Sequence, residues 1–222
     1  MSFVVIIPIK PLVAEKSRLR SEFSAANTAQ LALAFAAATL AAICACAEGC
    51  ELIVVTVDAR VRLLAEHRGI RTILDPGGGL NAAVRAGIAT ARKNSLEALA
   101  VLPSDLPALT GSELAVALAA ASEINLALVA DATGTTLLTA GVGVPLEPGF
   151  GASSRPRQEM LGYRMLIMNR NSPLRLDVGT PADLATAFAV GVGPATSTCY
   201  RLLAARRKLA RLGDESHILE VE

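Results

Sequence analysis

The chain opens on an unbroken apolar run, Phe3–Ile9, rich in β-branched residues. A strand covered on both faces reads this way, whereas a half-solvated strand would alternate. Similar short runs recur at Leu52–Val57, Ile70–Leu74, Ala98–Leu102 and Leu126–Val129. A long alanine-rich stretch predicts a helix from about Thr28 to Ala47, with Asn27 or Thr28 as its cap and Gly49 at its end. Val61–His67, Leu80–Arg92 and Ser112–Ser122 predict further helices between the strands. This alternation predicts parallel strands joined by right-handed crossovers: a three-layer α/β/α sandwich with a mostly parallel, Rossmann-like sheet and helices on both faces. Beyond Val129 the style changes to short strands at Thr136–Val142, Tyr163–Met168 and Leu174–Val178, mixed with glycine-bearing loops. Helices at Pro181–Val190 and about Thr198–Leu212 close the chain. With no linker and no repeat, residues 1–222 are expected to form a single domain.

Composition narrows the function. Lys plus Arg number 21 against 20 Asp plus Glu, so a broad electrostatic footprint for nucleic acid or anionic lipid is not expected. Hydrophobic residues at 52% exclude disorder, and aromatics at 3% leave little for base stacking. The stretch Leu31–Ala47 is apolar except for Thr39, but it falls short of the ~20 residues a bilayer core needs, and alanine partitions weakly. A buried helix is expected there rather than a membrane span. Met1–Pro8 lacks the basic region and cleavage site of an export signal, so a cytoplasmic protein is expected, with a homodimer left open. Cys44, Cys46, Cys50 and Cys199 read as small core residues. Cys44 and Cys46 point to different faces of a helix, and no nearby histidine completes a tetrahedral metal site. His67 and His217 are isolated, and no Ser-His-Asp or Cys-His arrangement is legible.

In an open α/β sheet, ligands sit beyond the carboxyl ends of the strands. Lys10, with Lys16, Arg18 and Arg20, follows the first strand; Gly77-Gly78-Gly79 and Leu80-Asn81 follow the third; Asp105 follows the fourth; Asp177 ends a late one. Cations, exposed backbone amides and carboxylates at one edge suit a polyphosphate held with Mg²⁺, which takes one or two protein carboxylates plus phosphates and water. Each piece also has a plainer role. Asp105 lies among prolines and can cap a turn, Lys16 and Arg18 can line a solvated loop, and Thr180-Pro181 can simply start a helix. The triple glycine fits neither G-x-G-x-x-G nor G-x-x-x-x-G-K-[ST].

Pro8-Ile9-Lys10-Pro11-Leu12, Lys16-Ser17-Arg18-Leu19, Leu80-Asn81-Ala82-Ala83 and Leu102-Pro103-Ser104-Asp105-Leu106-Pro107 together resemble the 2-phospholactate/phosphoenolpyruvate guanylyltransferases of coenzyme F-420 biosynthesis. The resemblance continues through Asp131, Gly134-Thr135-Thr136, Phe150-Gly151, Asp177 and Thr180–Leu184, to about Thr196. Gly191–Thr196 is similar to the branch that uses phosphoenolpyruvate. The resemblance implies a GT-A-like nucleotidyltransferase fold and transfer of GMP from GTP to a small phospho-acid, with release of pyrophosphate. It implies Lys10 on the substrate phosphate or carboxylate, Thr139 and Ser153-Ser154 on the three-carbon acid, and Leu80-Asn81 lining the nucleotide site. It further implies Lys16 and Arg18 facing the triphosphate, and Asp105 and Asp177 as Mg²⁺ ligands. Three departures stand out: Gly179 replaces an expected aspartate, the loop at Thr133-Gly134-Thr135 is shortened, and Gln158 replaces an expected histidine. The first leaves open a single-metal enzyme, a weakly metal-binding one, or a catalytically weak nucleotide-binding relative; 2-phospho-L-lactate or another phospho-acid is the alternative acceptor.

Overall fold

The computed structural model describes residues 2–13, 16–46, 51–93, 96–130, 134–151 and 153–218, with side chains described as far as Lys208. Seven strands form one sheet: β1 (Phe3–Pro8), β2 (Glu51–Val55), β3 (Arg71–Ile73), β4 (Ala98–Val101), β5 (Leu126–Val129), β6 (Leu137–Ala140) and β7 (Arg164–Met165). Their order is β3-β2-β1-β4-β6-β5-β7, with β6 antiparallel to its neighbours and the other pairings parallel. The helices are α1 (Ala25–Cys46), α2 (Ala59–Glu66), α3 (Leu80–Arg92), α4 (Gly111–Ala121), α5 (Ser154–Met160), α6 (Pro181–Val190) and α7 (Pro194–Ile218).

The unbroken apolar run of β1 follows from its central place. Phe3, Val5 and Ile7 pack with residues of α1, α2 and α4, while Val4 and Ile6 pack with residues of α3 on the opposite face. Both faces are covered, as the sequence predicts. A third cluster joins Leu19 and Phe23 of the basic loop to Leu31 and Phe35 of α1, to Val178, and to Leu184 and Leu203 of α6 and α7. It fixes the walls of the cleft described below. Helix α1 is long and apolar enough to cross a membrane by length and composition, yet most of it is buried against the rest of the protein, including α4 and α7.

Several boundaries differ from the sequence pattern, each for a local reason. Helix α1 starts before Thr28: the Ser24 hydroxyl accepts the Asn27 N–H at 3.2 Å, leaving Asn27 and Thr28 inside the helix. The predicted strand at Leu174–Val178 is instead a 3₁₀ turn at Pro173–Arg175 followed by a loop. Pro173 removes a ladder donor, and the Ser172 hydroxyl accepts the Leu174 N–H, so the turn wins over the strand. Ser153-Ser154, expected as a turn, opens α5, and α7 begins four residues before Thr198, on Pro194. Among the described cysteines Cys44 is exposed and Cys46 and Cys199 are half-buried against the edge of the core, so none is a fully buried core residue. Asp131, Thr133, Ala47, Gly49 and Cys50 lie outside the described residues.

Candidate active site

Strand order reverses at β1: β2 and β3 lie on one side and β4 on the other. The chain therefore leaves the carboxyl ends of β1 and β4 in different directions, and a crevice opens between them. It holds a cleft of about 290 Å³, lined by Pro8 and Lys10 after β1, Lys16–Arg18, Leu80 at the start of α3, Leu102–Asp105 after β4, Phe150 and Gly179. Three cations face a single carboxylate among these residues, so the cleft favours an anionic ligand. Before α3, Gly77, Gly78 and Gly79 all have left-handed φ values of 81°, 82° and 90°. Only glycine takes that path without strain, and it brings an α3 N-terminus with no side-chain cap to the crevice beside Leu80.

Asp105 is held by its backbone. Its carbonyl accepts the Val178 N–H at 2.9 Å, which fastens the Asp177–Gly179 loop to it. On either side of it, Thr39 of α1 donates its hydroxyl to the Ser104 carbonyl and accepts the Leu106 N–H, each at 3.2 Å. The carboxylate itself forms an ion pair with Lys16 through Oδ2, the two side chains being 17% and 7% exposed, so solvent screens the pair little. Lys16 reaches it from a left-handed backbone (φ 57°), a strained conformation costing about 1–2 kcal/mol for a non-glycine residue. The other oxygen, Oδ1, is buried and has no hydrogen-bond partner. An orphaned carboxylate oxygen in a cation-lined crevice is the donor a hard divalent ion takes, so the residues present fit Mg²⁺. Among the described residues no group of three or more His, Cys, Asp or Glu side chains gathers to hold a metal, so protein ligands here would be one or two carboxylates.

The walls are braced in the same way. Asp58, which caps α2 by accepting the Arg60 N–H, also accepts the Leu12 N–H at 3.0 Å and so ties down the loop that carries Lys10. Burial pushes the Asp58 carboxyl up, but hydrogen bonds from the Arg60 side chain, Leu12 and the Arg60 backbone, with the Arg60 charge, outweigh it and hold the group below the usual carboxylate range. Asn81 uses both ends of its amide on one residue: Nδ2 donates to the Phe150 carbonyl at 3.0 Å, and Oδ1 accepts the Phe150 N–H at 2.8 Å.

Of the residues singled out from the sequence, Lys10, Lys16, Arg18, Leu80 and Asp105 share the cleft. Asp177 lines an adjoining hollow with Arg175, Thr180 and Asp183, and that hollow shares Arg18 and Gly179 with the cleft. Asn81 stands one step back, holding Phe150 in place rather than lining the cleft. Thr139 is not among the residues that line the cleft: it is buried in β6, and its hydroxyl donates to the Ala127 carbonyl of β5 at 3.4 Å. Neither Ser153 nor Ser154 lines the cleft: Ser153 is an exposed left-handed residue, and the buried Ser154 donates to the Thr135 hydroxyl at 3.0 Å. Sequence reasoning missed Phe150 as a cleft wall, Asp58 as a brace and Thr39 as a support. For Thr39 a signal existed: it is the lone hydroxyl in an otherwise apolar stretch, a place where a polar side chain needs a specific partner.

The architecture has clear structural relatives. A protein of Desulfovibrio desulfuricans G20, assigned as a nucleotide-diphospho-sugar transferase, superposes with a TM-score of 0.71 at 17% identity, over 96% of this chain and 98% of that one. A 4-diphosphocytidyl-2C-methyl-D-erythritol synthase superposes with a TM-score of 0.58 at 16% identity, over 85% and 99%. These likenesses establish the fold. Residues 3–143 match the family described as Guanylyl transferase CofC like, and the chain belongs to that family. It is 43% identical over 210 residues to a phosphoenolpyruvate guanylyltransferase of Streptomyces coelicolor, covering 92% of this chain and 99% of that protein. It is 40% identical over 197 residues to the protein of the same name from Streptosporangium roseum, covering 87% and 88%.

Proposed function

We propose that this protein transfers GMP from GTP to phosphoenolpyruvate and releases pyrophosphate, as a step of coenzyme F-420 biosynthesis. One observation carries the reading: Lys10, Lys16 and Arg18 surround an Asp105 whose Oδ1 is buried and unpartnered, at the crevice of a nucleotidyltransferase sheet. The names of the relatives supply the acceptor and the base. A phosphate oxygen of phosphoenolpyruvate attacks the α-phosphorus of GTP, the new P–O–P bridge forms, and the bond to the β-phosphate oxygen breaks. Both reactants are anions, so the first task of the protein is to quench their repulsion. Lys16 and Arg18 neutralise the triphosphate, and Lys10, on the strand-end loop braced by Asp58, meets the acceptor. Asp105 and Asp177 would hold Mg²⁺, which supplies charge neutralisation on the phosphate oxygens. The Asn81 clamp keeps Phe150 against the bound reactants. The free thiols of Cys44 and Cys199 are in keeping with a reducing cytoplasm.

The test is mass spectrometry of the products after incubation with GTP, Mg²⁺ and a mixture of phosphoenolpyruvate and 2-phospho-L-lactate. The expected product is guanylylated phosphoenolpyruvate with one pyrophosphate released per adduct. Exclusive formation of the phospholactate adduct would reassign the acceptor. No pyrophosphate above background with either acid, despite GTP binding by calorimetry, would reduce the protein to a nucleotide binder.

A further inference from the structure

We propose that Thr39 is a positioning residue for Asp105, acting through the two peptide groups that flank it; this rests on the reading of Asp105 as the acidic group of the transfer reaction. Thr39 is fully buried in the middle of α1, 65 residues from Ser104 in sequence. A helical threonine ordinarily turns its hydroxyl back to a carbonyl of its own helix. Thr39 instead spans the strand-end loop, donating to the Ser104 carbonyl and accepting the Leu106 N–H. Together with the Val178 N–H on the Asp105 carbonyl, these bonds fix three consecutive residues, Ser104, Asp105 and Leu106.

The arrangement has a chemical consequence. Pro103 and Pro107 bound this loop and have no N–H of their own, so it has few ways to anchor itself. Every scaffold bond described around Asp105 goes to backbone, and its carboxylate keeps Oδ1 unpartnered and Oδ2 on Lys16. Thr39 therefore aims the carboxylate without consuming either of its oxygens. A carboxylate aimed through hydrogen bonds of its own would have less capacity left for a cation. Groups of this kind act on rate more than on binding, because small displacements of a reacting constellation cost about 100-fold.

The experiment compares Thr39→Val, Thr39→Ser and Asp105→Asn in the full chain, with GTP, phosphoenolpyruvate and Mg²⁺, alongside urea denaturation. Valine keeps the size of the side chain and removes both hydrogen bonds. Thr39→Val is expected to lower kcat by about 10–100-fold while KM for GTP stays within about twofold, and Thr39→Ser to restore wild-type turnover. A Thr39→Val protein with a lowered urea midpoint but unchanged kcat overturns the proposal, since its role is then only structural. So does a Thr39→Ser protein as slow as Thr39→Val, since the hydroxyl is then not what matters. If Asp105→Asn turns over like wild type, the reading of the site falls, and the positioning role falls with it. Should Thr39→Val fail to fold, Thr39→Cys, similar in size and weaker as donor and acceptor, takes its place in the same comparison, under the same criteria.

Discussion

Position 179 holds glycine where the guanylyltransferase pattern carries an aspartate, and the structure shows that a side chain fits there. The Gly179 backbone lies outside the left-handed region, and a Cβ built on it meets only Asp183 Oδ2, at an ordinary 3.6 Å. The Asp183 carboxylate is already committed, accepting the Gly179 N–H at 3.1 Å, the Thr180 N–H at 2.7 Å and the Thr180 hydroxyl at 2.8 Å. Without metal, Gly179→Asp sets two carboxylates side by side at about 1 kcal/mol in a water-like dielectric. Stiffening of the unfolded chain returns about 0.4–1 kcal/mol, so the metal-free variant should match wild type closely in stability. With metal the two separate. If the added oxygen tightens Kd tenfold, Mg²⁺ at ten times the variant's Kd stabilises the variant by about 1.4 kcal/mol and wild type by about 0.4 kcal/mol. For a chain of 222 residues that difference of about 1 kcal/mol is about 2–4 °C in Tm. Thermal unfolding in EDTA and across a Mg²⁺ series measures it, and the Mg²⁺ activation curve should move to lower concentration in step. Equal Mg²⁺ increments in the two proteins, with superimposable activation curves, would refute the assignment of this position to the metal.

Other expectations follow from single contacts. Asn81→Leu removes both bonds to Phe150 and should lower stability by about 1–3 kcal/mol in urea, with Asn81→Asp in between because its oxygen still accepts the Phe150 N–H. Asp58→Ala strips α2 of its cap and Leu12 of its acceptor, and about 1–2 kcal/mol of stability should go with them. The Asp58 carboxyl ionises more readily in the folded chain than in the unfolded one. Its contribution is therefore complete above the unfolded value near 4, lost as the pH falls through the lower folded value, and absent from the acid limb of the Asp58→Ala stability profile. Gln158 is fully buried with neither amide atom partnered, so Gln158→Met should raise the urea midpoint by an amount equivalent to about 1–2 kcal/mol.

Much of the fold is legible along the chain because strand and helix periods report burial locally. The run Phe3–Ile9 announces a strand covered on both faces, and the structure covers it with α1 on one side and α3 on the other. The pattern fails where local chemistry competes with it. At Leu174–Val178 an apolar alternation is overruled by Pro173 and the Ser172 cap, and at Ser154 a helix forms where only a turn was expected. In the site, Lys10, Lys16, Arg18, Leu80 and Asp105 are recoverable because each follows a strand end, which an α/β sheet turns to one edge. Thr139 fails that rule: it lies within β6 rather than beyond its end, on the antiparallel strand, with its side chain turned into the core.

The residue pattern by itself determined the class of fold, the strand-end loops and the excess of cations at one edge, because these depend on neighbours a few positions apart. Tertiary structure alone decided that the carbonyl of Asp105 meets Val178, that Thr39 supports Ser104 and Leu106, and that Asn81 holds Phe150. Those partners lie tens of residues apart and meet only when strand order and helix packing bring them together. No local period encodes that meeting, because it is set by how the whole sheet buries its two faces.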